Sequence, residues 1–161
     1  MDADVTLHPV EQNDREFLFR VYAGTREDEL AQTGWPDEEK HAFLEMQFAA
    51  QQADYGKRFP DSEQTIVLVG DSPVGRMWVA RWDEEIRLLD IALLPEHRNA
   101  GTGRILLERL QAEAARTGTP LRHSVYKMND RALRFYERLG FSVIEDFETY
   151  VLMEWVPPRG V

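Results

Sequence analysis

Apolar positions along the chain change period several times, and each change marks a predicted element. Val5 to Pro9 reads as a first strand. Asn13-Asp14-Arg15-Glu16 reads as a capping box, with Asn13 accepting from the third helical N–H and Glu16 reaching back. Phe17, Leu18, Val21 and Tyr22 follow at helical spacing, so a helix is expected to about Ala31, before the break at Gly34-Trp35-Pro36. Asp37, Glu38 and Glu39 open a second helix, where carboxylates suit the positive end of the helix dipole. Phe43, Leu44, Met46 and Phe48 form its buried side, and it is expected to stop by Gly56.

The middle of the chain changes to β. Thr65 to Val69, Val74 to Trp82 and Ile86 to Leu94 are apolar runs separated by the short turns Gly70-Asp71-Ser72-Pro73 and Asp83-Glu84-Glu85. Short turns predict an antiparallel meander, and the length of the third run predicts a strand buried on both faces. Pro95 ends that strand. A helix follows from about Thr102 to Arg116, then a strand over Leu121 to Lys127. A short helix begins at Asn129 and ends at Gly140, and two strands close the chain at Phe141 to Phe147 and Tyr150 to Trp155. No repeat, low-complexity run or linker interrupts this order, so residues 1–161 are expected to form a single domain.

Composition narrows the function. The formal charge of −10 repels a phosphate backbone, so general nucleic-acid binding is not expected, whereas an amine-bearing partner is compatible. With no cysteine, disulfides, a cysteine nucleophile and thiolate metal sites are excluded. His8, His41 and His97 show no metal-ligand spacing, so no metal is expected. No stretch approaches the ~18–20 apolar residues of a membrane span. Met1-Asp2-Ala3-Asp4 has no apolar run, so no signal peptide is read and the cytoplasm is the default expectation.

The segment after Pro95 carries the chemistry. Arg98-Asn99-Ala100-Gly101-Thr102-Gly103 enters a helix, followed by Arg104. Glycine lets an anion approach the backbone, and the first helical N–H groups have no intrahelical partner. Together they predict an anion site. The third glycine of a dinucleotide fingerprint is replaced by Leu106, and no Gly-Lys-Ser/Thr ending exists. Taken alone, these glycines fit a plain strand-turn-helix as well as an anion site.

A second segment decides between them. Asn129-Asp130-Arg131-Ala132-Leu133-Arg134-Phe135-Tyr136-Glu137-Arg138-Leu139-Gly140-Phe141 follows at about 25 residues. The two segments, in this order and on this succession of elements, resemble the two signatures of the GCN5-related N-acetyltransferase (GNAT) family. Leu88-Leu89-Asp90-Ile91-Ala92-Leu93-Leu94-Pro95 resembles the central strand of many bacterial members. The resemblance implies an α/β (α+β) fold: a mixed, mostly antiparallel central sheet of six to seven strands, flanked by four helices, with splayed central strands. It implies an N-acetyltransferase that moves an acetyl group from acetyl-CoA to a primary amine in a ternary complex. Arg98 to Gly103, with Arg104, would then cradle the CoA pyrophosphate, backbone groups of Ile91, Ala92 and Leu93 would meet the pantetheine arm, and Asn129 would also contact the cofactor.

Tyr136 lies seven residues after Asn129, two turns along one helix face. By the resemblance it is the general acid toward the departing thiolate, against the alternative of a packed core aromatic. Some members carry a glutamate base where Ser124 stands here. Asp90 is the first replacement, or equally a structural carboxylate that fixes the splay; Glu85 is a weaker one, and His123 reads more readily as core. Glu29 could receive a cationic amine and Trp35 stack over it, or both could be ordinary surface and packing residues. The acceptor, small molecule or peptide, stays open, as do O-acylation and a longer acyl group. A catalytically weak acyl-CoA-binding or regulatory module of the same fold is the alternative function, supported by Ser124. The late strands could also pair across subunits in a homodimer.

Overall fold

The structure is a computed structural model that describes residues 4–159. Met1, Asp2 and Ala3 of the acidic N-terminal segment lie outside the described residues. The elements in chain order are β1 (Val5–Pro9), α1 (Arg15–Ala31), α2 (Asp37–Arg58), β2 (Glu63–Val69), β3 (Ser72–Arg81), β4 (Ile86–Leu93), α3 (Thr102–Thr117), β5 (Leu121–Tyr126), α4 (Asp130–Arg138), β6 (Ser142–Asp146) and β7 (Tyr150–Trp155). The strands form one seven-stranded sheet in the order β1-β2-β3-β4-β5-β7-β6. β1 with β2, β5 with β7 and β6 with β7 run antiparallel, while β4 and β5 run parallel. The parallel ladder registers only Ile86 with Leu121, Arg87 with Arg122 and Leu88 with His123. Such a short ladder suits the splay that the resemblance implies.

The chain forms two compact units. One runs up to Trp78 and takes in Asp90–Gly103; the other takes Val79–Leu89 and the chain from Arg104 onward. The chain changes unit inside β3, inside β4 and in the first turn of α3, so the division falls within elements and not at a linker.

In the first unit, α1 and α2 bury Leu18, Tyr22 and Phe48 against Ile66 of β2. Phe48 is 1% exposed, and truncating such a ring costs about 3–5 kcal/mol. Val21, Ala92 and Leu94 form a smaller cluster that seats the end of β4 on α1. In the second unit, Leu106, Leu107, Leu110 and Ala114 of α3 are buried, as are Leu121 and Val125 of β5 and Val151 to Met153 of β7.

Two local expectations are corrected. The turn before α1 closes two residues earlier than Asn13-Glu16: the Glu11 N–H donates to Asp14 Oδ2 at 2.8 Å, and the Asp14 N–H to Glu11 O at 3.0 Å. The short Asp14 side chain suits a tight 3-10 turn over Gln12–Asp14, and α1 starts only at Arg15. β4 is not buried evenly on both faces. Ile86, Leu88 and Ala92 alternate as buried, while Arg87, Leu89, Ile91 and Leu93 are half-buried. Asp90 lies in register with the buried set, which puts a carboxylate on the face that otherwise holds the core.

Candidate functional site

The loop after β4 has the backbone that its glycines suggest. The Leu94 N–H donates to Val74 O at 2.8 Å, a 3-10 turn covers Pro95–His97, and the chain then takes positive φ at Asn99 (63°) and Gly101 (87°). Positive φ at Gly101 needs no Cβ, and a Cβ built there would meet nothing within 4 Å. The turn is therefore open above its backbone, and Arg98 to Gly101 are exposed. Thr102 is buried and starts α3, whose first N–H groups have no intrahelical acceptor. An open, glycine-bearing loop that runs into a helix N-terminus suits a phosphate group.

Arg98 has a second task there. Its Nε donates to Leu93 O and its Nη2 to Gly24 O, both at 3.1 Å. The guanidinium thus braces the loop between the end of β4 and α1. Gly24 permits this packing: a Cβ there would come 3.1 Å from Pro95 Cδ and 3.7 Å from Arg98 Nη2.

Asp90 acquires a partner that the sequence reading did not name. Arg76 on β3 is 1% exposed, and its Nε donates to Asp90 Oδ2 at 2.7 Å. Its Nη2 donates to Gln51 Oε1 of α2 at 2.5 Å, and its guanidinium lies 5.8 Å from the Tyr22 ring centroid. Nη1 is buried with no hydrogen-bond partner among the described residues. A signal was present in the sequence: Arg76 is the one charge inside the apolar run Val74 to Ala80, and a buried charge demands a partner. Burial, the largest influence, pushes the hydroxyls of Tyr22 and Tyr55 above the ordinary phenol value. The Asp90 carboxylate adds to the rise, and Arg76 opposes it. Both phenols are neutral at neutral pH.

The acceptor-side residues read from the sequence are not brought together. Glu29 pairs with Arg26 on its own helix, Nε to Oε2 at 3.2 Å, with 63% of the Glu29 side chain exposed. Trp35 is 40% exposed and sits edge-on against Phe43 at 5.5 Å between centroids. Among the described residues no hydrogen bond or ion pair links Glu29, Trp35 and Asp90. Glu85 is held by Arg87 and by Arg122, which also binds Glu154. That makes it a strut of the sheet.

In the second unit, Tyr136 is 4% exposed and packed in an aromatic group. His123 lies 4.9 Å away, Phe135 5.2 Å and Phe141 5.3 Å between ring centroids. His123 Nδ1 lies 2.9 Å from Leu88 O. A carbonyl can only accept, so this contact makes Nδ1 the donor. Asn129 proves to be the cap of α4 and not a residue on its face. Its Oδ1 accepts from the Ala132 N–H at 3.1 Å, which leaves the amide nitrogen for other partners. Arg104 is 67% exposed and pairs with Glu108 one turn on. Ser124 is exposed on β5. Among the described residues no group of three or more His, Cys, Asp or Glu could hold a metal, and no helix is long and apolar enough to cross a membrane.

The family model described as an acetyltransferase (GNAT) domain matches residues 61–143, which include the glycine loop and α4. The uncharacterized N-acetyltransferase YjcF of Bacillus subtilis (strain 168) is 32% identical over 91 residues, 55% of this chain and 61% of its own length. The peptidyl-lysine N-acetyltransferase YjaB of Escherichia coli (strain K12) is 29% identical over 105 residues, 64% of this chain and 66% of its own. The matched region thus spans under two-thirds of either curated relative. Among solved structures, the PaiA N-acetyltransferase from Thermoplasma acidophilum, in complex with coenzyme A, superposes with a TM-score of 0.72. It is 17% identical and covers 94% of this chain and 98% of its own, a likeness of fold.

Proposed function

Because the chain belongs to the GNAT acetyltransferase family, we propose that it is an acetyl-CoA-dependent N-acetyltransferase acting on a primary amine. The observation that carries this reading is the loop from Arg98 to Gly103, open above a positive-φ glycine and leading into the N-terminus of α3. Its exposed backbone fits a pyrophosphate, and Arg98 keeps the loop in shape through Leu93 O and Gly24 O. Backbone groups of Ile91, Ala92 and Leu93, with the Asn129 amide nitrogen, would hold the rest of the cofactor. Bound acetyl-CoA would supply a thioester-activated acetyl group.

The chain's own groups then manage protons. Asp90 accepts a proton from the acceptor amine. Tyr136 donates to the departing sulfur; a phenol is a workable donor, since a free phenol has a pKa of ~10 and a free thiol ~8.5. Glu29 and Trp35 are second-rank contacts for the acceptor, since Glu29 already has Arg26. The name of the Escherichia coli relative, a peptidyl-lysine N-acetyltransferase, supports lysine on a peptide as one acceptor to try.

Acetyl-CoA consumption over a panel of primary amines, alongside calorimetric CoA binding, tests the reading. Tight CoA binding with transfer to no amine would favour the non-catalytic module, for which exposed Ser124 at the position of the family glutamate is the supporting observation. Within an active enzyme, Tyr136→Phe is expected to lower turnover by about a hundredfold while CoA affinity holds. Unchanged turnover with chemistry rate-limiting would remove the acid role.

A further inference from the structure

Arg76 is the most deeply buried cation among the described residues. We propose that Arg76 is a positioning residue for Asp90: it binds one carboxylate oxygen and thereby presents the other to the acceptor amine. This rests on the acetyltransferase reading and on Asp90 as the proton acceptor.

The geometry supports the division of labour. Arg76 Nε engages Asp90 Oδ2 at 2.7 Å, and Nη2 engages Gln51 Oε1 at 2.5 Å. Two bonds to two different elements, β4 and α2, fix the guanidinium plane, and the Tyr22 ring lies beside it. A planar fork can hold a carboxylate in one orientation; an ammonium, with its rotating donors, cannot. Asp90 itself is not sealed in. Its side chain is 25% exposed, and Oδ1 has no hydrogen-bond partner among the described residues. Tyr22 from α1 and Tyr55 from α2 feel the Asp90 charge as neutral phenols, and Arg26 and Glu29 near Tyr22 neutralise each other. Oδ1 is therefore the anionic acceptor in this neighbourhood that is not already bonded.

The cluster is also poorly made for stability alone. Arg76 Nη1 is buried without a partner, and an apolar side chain of the same length would avoid that penalty. Local rules broken without structural gain point to function. In the step itself, an incoming ammonium gives one proton to Asp90 Oδ1. The N–H bond breaks, an O–H bond forms, the nitrogen keeps the electron pair for attack, and Arg76 keeps its proton and its hydrogen bond to Oδ2.

The test is a double-mutant cycle on the whole chain, with n-butylamine and a lysine-containing peptide as acceptor probes. Steady-state kinetics, CoA affinity and urea unfolding are measured together. Arg76→Lys, which keeps the charge and loses the fork, should lower kcat for the amine about ten- to a hundredfold, with CoA affinity unchanged. Asp90→Asn should lose at least as much, and the double variant no more than Asp90→Asn alone, because Arg76 acts through Asp90. Should Arg76→Lys be poorly folded, Arg76→Met with Asp90→Leu removes both charges and should restore stability without restoring turnover. Wild-type turnover in Arg76→Lys, multiplicative losses in the double variant, or recovered activity in the charge-free pair would each overturn the proposal. Wild type transferring acetyl to neither probe nor to any amine of the wider panel would instead sink the acetyltransferase reading, and this inference with it.

Discussion

The Arg98–Gly103 loop and the Arg76 cluster belong to the same compact unit and both touch β4, yet they are built in opposite ways. The loop is made of consecutive residues, lies exposed, and offers backbone N–H groups. Its arginine faces protein carbonyls. The cluster draws Tyr22, Gln51, Arg76 and Asp90 from α1, α2, β3 and β4, has Arg76 and Tyr22 buried with Gln51 and Asp90 half-buried, and works through side chains. A loop of the first kind can bind a ligand while contributing little to stability. A cluster of the second kind ties chemistry and stability to the same bonds, so perturbing it perturbs both.

Substitutions can break that contrast or sharpen it. The largest effect is expected at Gly101→Val, which should abolish calorimetric CoA binding. A β-branched residue at φ 87° is strained and places its side chain where an anion would approach. Although a Cβ there meets no protein atom, the backbone strain should lower the thermal unfolding midpoint by a few degrees; unchanged CoA affinity in the folded variant would dissolve the cradle. Arg76→Met is the converse case. It leaves Asp90 unpaired on a largely buried face, and urea unfolding should show a loss of about 3–5 kcal/mol. A loss below about 1 kcal/mol would mean that Asp90 finds water instead.

Gly75→Ala probes the strand that carries both regions. A Cβ at Gly75 would overlap the Ala92 carbonyl oxygen and the Leu93 side chain. Overpacking of this kind costs about 1–3 kcal/mol. Because β4 must shift to relieve it, CoA affinity should fall in the same variant, whereas a stability loss with intact affinity would separate β4 from cofactor binding. The smallest effect is expected at Glu29→Gln. Its pair with Arg26 is exposed, so stability should change by no more than about 1 kcal/mol. A large rise in KM for the amine, with stability unmoved, would restore Glu29 as an acceptor contact.

How far each region could be read in advance follows from the same contrast. The glycines, Thr102 and the helix behind them are neighbours in sequence, so their backbone requirement was visible as a pattern. Asn129 and Tyr136 were visible as a pair, but the pattern did not show that Asn129 caps α4 with its own oxygen. The place of the turn before α1 was missed by two residues, because Glu11–Asp14 and Asn13–Glu16 both carry polar side chains at the spacing of a reciprocal turn. Glu29 looked available because its in-helix partner Arg26 stands three residues away and either could have turned elsewhere.

By itself, the sequence determined the succession of strands and helices, the glycine loop, the α4 segment and hence the family. All of these depend on residues near one another along the chain, where spacing is geometry. Only the tertiary structure decided what Asp90 and Arg76 are to each other. They are 14 residues apart on neighbouring strands, and whether two lone charges in apolar runs meet depends on strand register and on which face each occupies. Desolvation makes that meeting obligatory once both are buried, but no local pattern names the partner.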